Sequence, residues 1–294
     1  MRDRLFAPRL PTLAVLLGPA LLLFVAFVVV PVILAIWFSA FNWSGGRSMT
    51  FAGISNYVRL VQDVQFWKTF ANNLFLIVFC LVGQIGLGFL VAILMYGRSL
   101  RLKEFHRTVI FFPVVISAVV IGFMWSMIYN KDYGLLNYAL RGLGLGGWIR
   151  PYLDDPHTVM FYASVPVVWQ YIGLYMMLFL TGLQGIDPTI FEVAEIDGAS
   201  AGQRALHITL PLLVDTMKVA VMLCIAGNMK IFDHIFIMTG GGPGRASMVM
   251  AMYAYNQTFE MFKLGYSSSI SVGIMVLSLA LILVSRGLLR QKSA

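Results

Sequence analysis

The sequence predicts an all-α polytopic membrane protein with six transmembrane helices and cytoplasmic N- and C-termini, and three observations carry that expectation. The 294 residues are 59% hydrophobic and only 12% charged, with a mean hydropathy of +0.82. A soluble domain carries about 25% charged residues to keep its surface wet. Charge-free runs between Arg9 and Arg47, Lys68 and Arg98, Arg107 and Lys131, His157 and Asp187, and Lys263 and Arg286 each exceed the roughly 20 residues with which a helix crosses a hydrocarbon core. Basic residues gather in three short segments: Arg2, Arg4 and Arg9; Arg98, Arg101, Lys103 and Arg107; Arg286, Arg290 and Lys292. In a six-span chain all three fall on one side, which the positive-inside rule makes the cytoplasm. That distribution also accounts for the net charge of +8. The positive charges form no basic domain, so no nucleic-acid partner is expected.

Taken in order, spans are expected near 12–40, 70–97, 109–129, 158–183, 211–238 and 268–289. The first apolar run continues to Phe41, well past the roughly 7–15-residue core of a cleaved signal, and is read as an uncleaved span. Pro19, Pro31, Pro113 and Pro166 lie within spans, where kinks are tolerated if neighbours satisfy the freed backbone groups. Cys80 and Cys224 also fall in spans and read as small buried hydrophobes. Three outer segments are expected at 42–69, 130–157 and 240–263. The last opens on Gly240-Gly241-Gly242-Pro243-Gly244, a turn rather than a helix.

The segment Gln184 to Thr209 is long enough for two short helices outside the bilayer. Asp187-Pro188 starts the first, with a capping carboxylate and then proline where a missing N–H costs nothing. Glu192 and Glu195 follow near the positive end of the helix dipole. Gly198 suits a left-handed C-cap, and a second helix is expected from Ser200 to about His207. Ile190, Phe191, Val193, Ala194 and Ile196 form an apolar face to be covered by the subunit's own helices or by a partner protein.

The run Glu192-Val193-Ala194-Glu195-Ile196-Asp197-Gly198-Ala199, followed by Ile208-Thr209-Leu210-Pro211, resembles the cytoplasmic signature loop of ABC importer permeases. Phe51, Gly53, Asn56-Tyr57 and Phe66-Trp67, with Phe232-Asp233 and Thr239 to Pro243, resemble the sugar-permease branch, the maltose- and glycerol-phosphate-like inner-membrane components. The likeness covers about residues 10–290. It departs at Val193, where the pattern has alanine, and at Ala205 and Leu206, where it has bulky aromatics. The resemblance implies a type I ABC importer permease fold. It divides the chain into an N-terminal segment, 1–69, and a transmembrane permease domain, 70–290, with the coupling loop at 184–209. Glu192, Ala194, Glu195, Asp197, Gly198 and Ala199 would couple it to an ATPase. Implied partners are a second permease subunit, two ABC ATPase subunits carrying ATP and Mg, an extracytoplasmic substrate-binding protein and membrane lipid. The implied location is a bacterial or archaeal cytoplasmic (inner) membrane, and the substrate a sugar.

The chain itself offers no catalytic site and no cofactor site. His106, His157, His207 and His234 lack metal-ligand spacing. Gly240 to Ser247, the nearest approach to a phosphate loop, has Arg245 where the lysine belongs. ATP is therefore expected on another polypeptide.

The candidate substrate path draws on two stretches. In the fifth lie Asp215, Lys218, Asn228, Lys230, Asp233 and His234. On one continuous helix at about 100° per residue, Asp215 and Asp233 would project alike, with the lysines about 60° to either side. Such a stripe suits a lumen or a subunit interface, although Asp215 and Lys218 at i,i+3 could simply pair. Lys230 and Asp233, also i,i+3, would neutralise one another. That favours a neutral mono- or oligosaccharide over an anion such as glycerol phosphate or a uronate. Asn228 matches a polar position that lines the sugar path in the family. It would point about 140° away from the stripe unless the chain unwinds at Gly227. In the fourth helix, Trp169, Gln170, Tyr171 and Tyr175 offer rings and amides suited to sugar faces and hydroxyls, or to helix packing. Ser268, in Ser267-Ser268-Ser269, suits either the path or close helix packing. A secondary transporter would show inverted repeats and broken helices in both halves, which the sequence does not display. A membrane enzyme would need convergent catalytic groups within the bilayer.

Single cysteines at Ser99 and Gly242, in a background lacking Cys80 and Cys224, should react oppositely with an impermeant thiol reagent applied from outside. Labelling of both would overturn the six-span topology.

Overall fold

A computed structural model describes residues 10–96 and 101–289. Arg2, Arg4, Arg9, Arg98, Ser99, Arg290 and Lys292 lie outside the described residues. Two compact units are built from residues 1–63 with 254–273, and from residues 64–253 with 274–294.

In the first unit, α1 (Val15–Ser39) leads into an antiparallel hairpin of β1 (Phe41–Trp43) and β2 (Met49–Phe51), in register Phe41↔Phe51 and Trp43↔Met49. The helix α2 (Ser55–Gln62) follows. Buried Asn56 fastens this corner, its Nδ2 donating to Ser39 O at 2.9 Å and Phe41 O at 3.0 Å. The 42–69 segment, expected as plain loop, therefore holds a small hairpin and a helix.

The second unit opens with α3 (Val64–Tyr96). There follow α4 (Lys103–Val115), α5 (Ala118–Ile128), α6 (Leu135–Gly142), α7 (Val159–Gln184) and α8 (Pro188–Ile196). Next come α9 (Ala201–Leu212), α10 (Val214–Met229), α11 (Asp233–Thr239) and α12 (Met250–Tyr255). The last helix, α13 (Leu264–Leu288), starts among residues of the first unit and ends among those of the second. The hub is α7, packed against α3, α4, α5, α10 and α11. Its central window is 61% buried inside the chain, while that of α1 is 0% buried. Close approach to α4 needs Gly173, where a Cβ would lie 2.4 Å from Ile110 O and 2.6 Å from Phe111 Cα.

Among the described residues four unbroken helices are long and apolar enough to cross a membrane, and two bent pairs bring the number to six if each counts as one span. The expected third span, 109–129, is not continuous: α4 and α5 meet at 96°. Pro113 contributes no N–H, and three residues later Ile116 is extended (ψ 139°). The expected fifth span, 211–238, is broken twice. The pair α9 and α10 bends by 76° at Leu213, close after Pro211. Then α10 ends at Met229, and α11 restarts after Phe232 (φ −140°). The second coupling helix does not stop near His207 but runs on to Leu212. Two broken spans also remove the lack of breaks as an argument against a secondary transporter.

A break frees backbone groups that hydrocarbon cannot satisfy, and at the α4–α5 break and the end of α10 side-chain amides take them. Gln170 Nε2 on α7 donates to Ile116 O at 2.8 Å, in the α4–α5 break. Buried Asn73 on α3 donates from Nδ2 to Asn228 O at 2.8 Å, and its Oδ1 accepts from Met250 N at 2.9 Å. One amide thus holds the end of α10 and the start of α12. Beside it, Asn72 Nδ2 donates to Ala246 O and Met248 O at 2.9 and 2.8 Å. Asn73→Leu would strand a buried carbonyl and a buried N–H. It should destabilise the purified protein by about 1–3 kcal/mol, read as a lowered Tm in detergent. An unchanged Tm would contradict the assignment.

Candidate functional site

The loop at 184–209 is fixed first by its caps. The Asp187 carboxylate accepts from Thr189 N at 2.9 Å and Thr189 Oγ1 at 2.8 Å. Those bonds, the backbone one first, hold its carboxyl below the usual range. The cap contribution is therefore present above the ordinary carboxylate pKa, persists somewhat below it, and is lost once pH falls through the lowered value. At the other end of α8, Ala199 N donates to Ala194 O at 2.9 Å and Gly198 N to Glu195 O at 3.1 Å. This is the paired C-terminal bonding that needs a left-handed residue, and Gly198 supplies it at φ +77°. Ser200 and Gln203 form a reciprocal capping box that opens α9. An ion pair from Arg204 to Glu195 at 3.1 Å ties α9 to α8.

The six expected coupling residues divide between two faces. Ala194 is buried and Ala199 half-buried, whereas Glu192, Glu195, Asp197 and Gly198 are exposed. Phe191 rests on Tyr96, ring centroids 5.8 Å apart. Outward face Ile190, Val193 and Ile196, the last 85% exposed. The apolar face is thus partly covered by the chain itself and partly bare.

The second constellation surrounds a cavity of about 330 Å³. Tyr171 and Tyr175 line it from α7, Asn228 from α10, Gln84 from α3, and Lys230, Asp233 and His234 from the α10–α11 break. The break reconciles directions that an unbroken helix would keep apart: the chain unwinds just after Asn228, so this amide faces the same space as Lys230 and Asp233. The predicted stripe is absent for the same reason. Asp215 pairs with Lys218 at 2.8 Å near the start of α10, the end away from the cavity, and does not line it. Among the described residues Lys230 and Asp233 form no ion pair, so the expected mutual neutralisation at i,i+3 is lost with the helix.

Trp169 is not a cavity residue. Two positions from Tyr171 is about 200° of helix, and its ring instead meets Trp125, centroids 6.0 Å apart. Half-buried Ser268 does not line the cavity either. Its neighbours Ser267 and Ser269 donate to Ala254 O and Tyr266 O, and hold local backbone. Gln84 went unrecognised in the sequence. It is buried, donates to Val167 O at 2.9 Å and accepts from Cys224 Sγ at 3.7 Å. Its one sequence signal is an amide in an apolar stretch, eleven residues past Asn73. Gln170 was visible beside Trp169 but not as the bridge it is: its Oε1 lies 2.5 Å from His234 Nε2.

A bundle of broken and unbroken apolar helices, with a cavity of mixed apolar and polar lining among them and a capped helix pair beyond their ends, fits a membrane permease. The profile of a family described as binding-protein-dependent transport system inner membrane component matches residues 84–291, and the chain belongs to that family. It is 36% identical over 270 residues to the probable ABC transporter permease protein YurN of Bacillus subtilis, covering 91% of this chain and 92% of YurN. It is 29% identical over 293 residues to the diacetylchitobiose uptake system permease protein NgcF of Streptomyces coelicolor, covering 95% and 82%. Its fold matches a chain from the crystal structure of a bacterial ABC transporter involved in the import of the acidic polysaccharide alginate, with TM-score 0.81, 21% identity and 96% of each chain covered.

Apart from its chain neighbours, nothing lies within 4 Å of a Cβ built on Gly198, so a side chain there meets backbone strain and no clash with the rest of the chain. Gly198→Val should cost roughly 1–2 kcal/mol at that turn and abolish transport while the chain still inserts. Gly198→Asn, which tolerates the left-handed region, should retain much of it. Normal uptake by the valine variant would remove this loop from the coupling path.

Proposed function

We propose that this chain is the membrane-spanning subunit of an ATP-driven importer that passes a saccharide, delivered by an extracytoplasmic binding protein, across a bacterial or archaeal cytoplasmic membrane. The observation that carries the reading is the cavity at the α10–α11 break, where two tyrosines and two amides meet. Aromatic rings match the apolar faces of a sugar and amides match its hydroxyls. At about 330 Å³ it has the size of a small-molecule site. The diacetylchitobiose system of NgcF supports the same substrate class.

The remaining parts follow from the loop. Exposed Ile190, Val193 and Ile196 need a partner, and an ATPase subunit holding ATP and Mg is the one that fits a coupling loop. The complex would contain two such ATPases and a second permease, with both termini of this chain cytoplasmic and no catalytic step within it. ATPase closure would push on α8 and α9. Because α9 continues to the bend at Leu213, and α10 from that bend to Asn228, displacement of the loop reaches the cavity through two rigid rods. Two sites, two global states and one element that both bias constitute allostery in the strict sense.

Lys230 and Asp233 bring one charge of each sign to the cavity wall, so their sum favours an uncharged saccharide. The second reading, an anionic one such as a uronate, is favoured by the missing ion pair, which leaves the ammonium open to a carboxylate. Reconstituted with its partners and binding protein, the transporter should hydrolyse ATP faster with neutral oligosaccharides, and Lys230→Met should change selectivity little. Stimulation by acidic sugars alone, abolished in Lys230→Met, would establish the anionic reading instead.

A further inference from the structure

Resting on the saccharide reading of that cavity, we infer that His234 Nδ1 is the hydrogen-bond acceptor for a substrate hydroxyl, held ready by Gln170. The argument starts at the α4–α5 break. Ile116 O can only accept, so the group of Gln170 that meets it at 2.8 Å must be the NH2. The amide orientation is thereby fixed, and Oε1 is the atom facing His234 Nε2 at 2.5 Å. A carbonyl oxygen can only accept, so Nε2 carries the proton. In the neutral ring Nδ1 then holds a lone pair and no hydrogen.

That nitrogen has no hydrogen-bond partner among the described residues, nor is it among the atoms sealed in protein without one. His234 itself is 3% exposed and lines the cavity. The opening left to Nδ1 is therefore the cavity. Gln170 is equally buried, 2% exposed, so the bridge is walled in and its geometry does not wander. The Tyr171 ring stands beside the imidazole, centroids 6.4 Å apart, and lines the same space. A phenol that donates next to an imidazole that accepts suits a sugar hydroxyl, which does both. The cavity also offers donors from Lys230 and the tyrosine hydroxyls and an acceptor in the Asp233 carboxylate, while the Asn228 NH2 is taken by Cys224 O at 2.8 Å. A lone-pair acceptor of fixed direction adds discrimination by the position of a hydroxyl, which stacking on rings does not supply.

The test uses the complete transporter in proteoliposomes, with its binding protein, and uptake of maltose, cellobiose, lactose and diacetylchitobiose. The sugar taken up fastest becomes the probe, along with its monodeoxy analogues. The wild type should take up at least one analogue about fivefold or more slowly than the parent. His234→Phe keeps a planar ring and loses the acceptor. It should slow the parent to the rate of that analogue and leave the analogue itself unchanged. His234→Asn, whose Oδ1 can replace Nδ1, should restore part of the difference, and Gln170→Leu should blunt it by freeing the ring. If His234→Phe slows the parent and every analogue by one common factor, or leaves the fivefold gap intact, His234 is a packing residue and the inference fails while the saccharide reading stands. Uptake of none of the four sugars would overturn both.

Discussion

Hydrocarbon offers a backbone carbonyl no partner, and the shape of this chain follows from how it meets that constraint. A continuous helix satisfies itself. Here two spans are interrupted at three places, and at two of these a side-chain amide from a neighbouring helix stands in for missing bonds. Gln170 serves the α4–α5 break and Asn73 the end of α10. The breaks are what give the cavity its polar wall, so the residues that stabilise the fold and those that shape the site are bonded to each other. Gln170 belongs to both sets through His234.

What the sequence disclosed follows the same physics. Long charge-free runs report the spans because lipid punishes charge over the whole length of a helix. The caps of α8 were legible because Asp-Pro and an isolated glycine act locally, through two or three residues. The breaks were not legible. Pro113 and Pro211 were visible, but a proline only removes one bond. Whether the helix then kinks or stops depends on an acceptor's substitute partner more than fifty residues away, as with Gln170 and Ile116. Once the break at Lys230 to Phe232 was hidden, every helical-wheel direction beyond it was wrong, and so was the stripe from Asp215 to Asp233. Tyr171 and Tyr175 share one face of α7, which has no interruption between them, and both line the cavity, while Trp169, two positions before Tyr171, turns to Trp125.

The loop outside the bilayer shows a division of labour that residue type alone would obscure. Ala194 is small so that α8 can lie against its own chain, while the larger Val193 and Ile196 face away. Four hydrogen-bonded devices fix the loop: the Asp187 cap, the Gly198 turn, the Ser200–Gln203 box and the Arg204–Glu195 pair. A stiff loop transmits force where a soft one would absorb it.

The contrast between α1 and α7 bears on how the protein is made. A helix with no buried window, such as α1, owes nothing to its neighbours for residence in lipid, and can leave the insertion machinery as soon as it is synthesised. By contrast, α7 carries Gln170 toward a carbonyl of an earlier helix and a ring of a later one. Until α11 has been synthesised, half of that amide faces hydrocarbon or the translocon. The amide of Gln170 is therefore fully bonded only once His234 has been made.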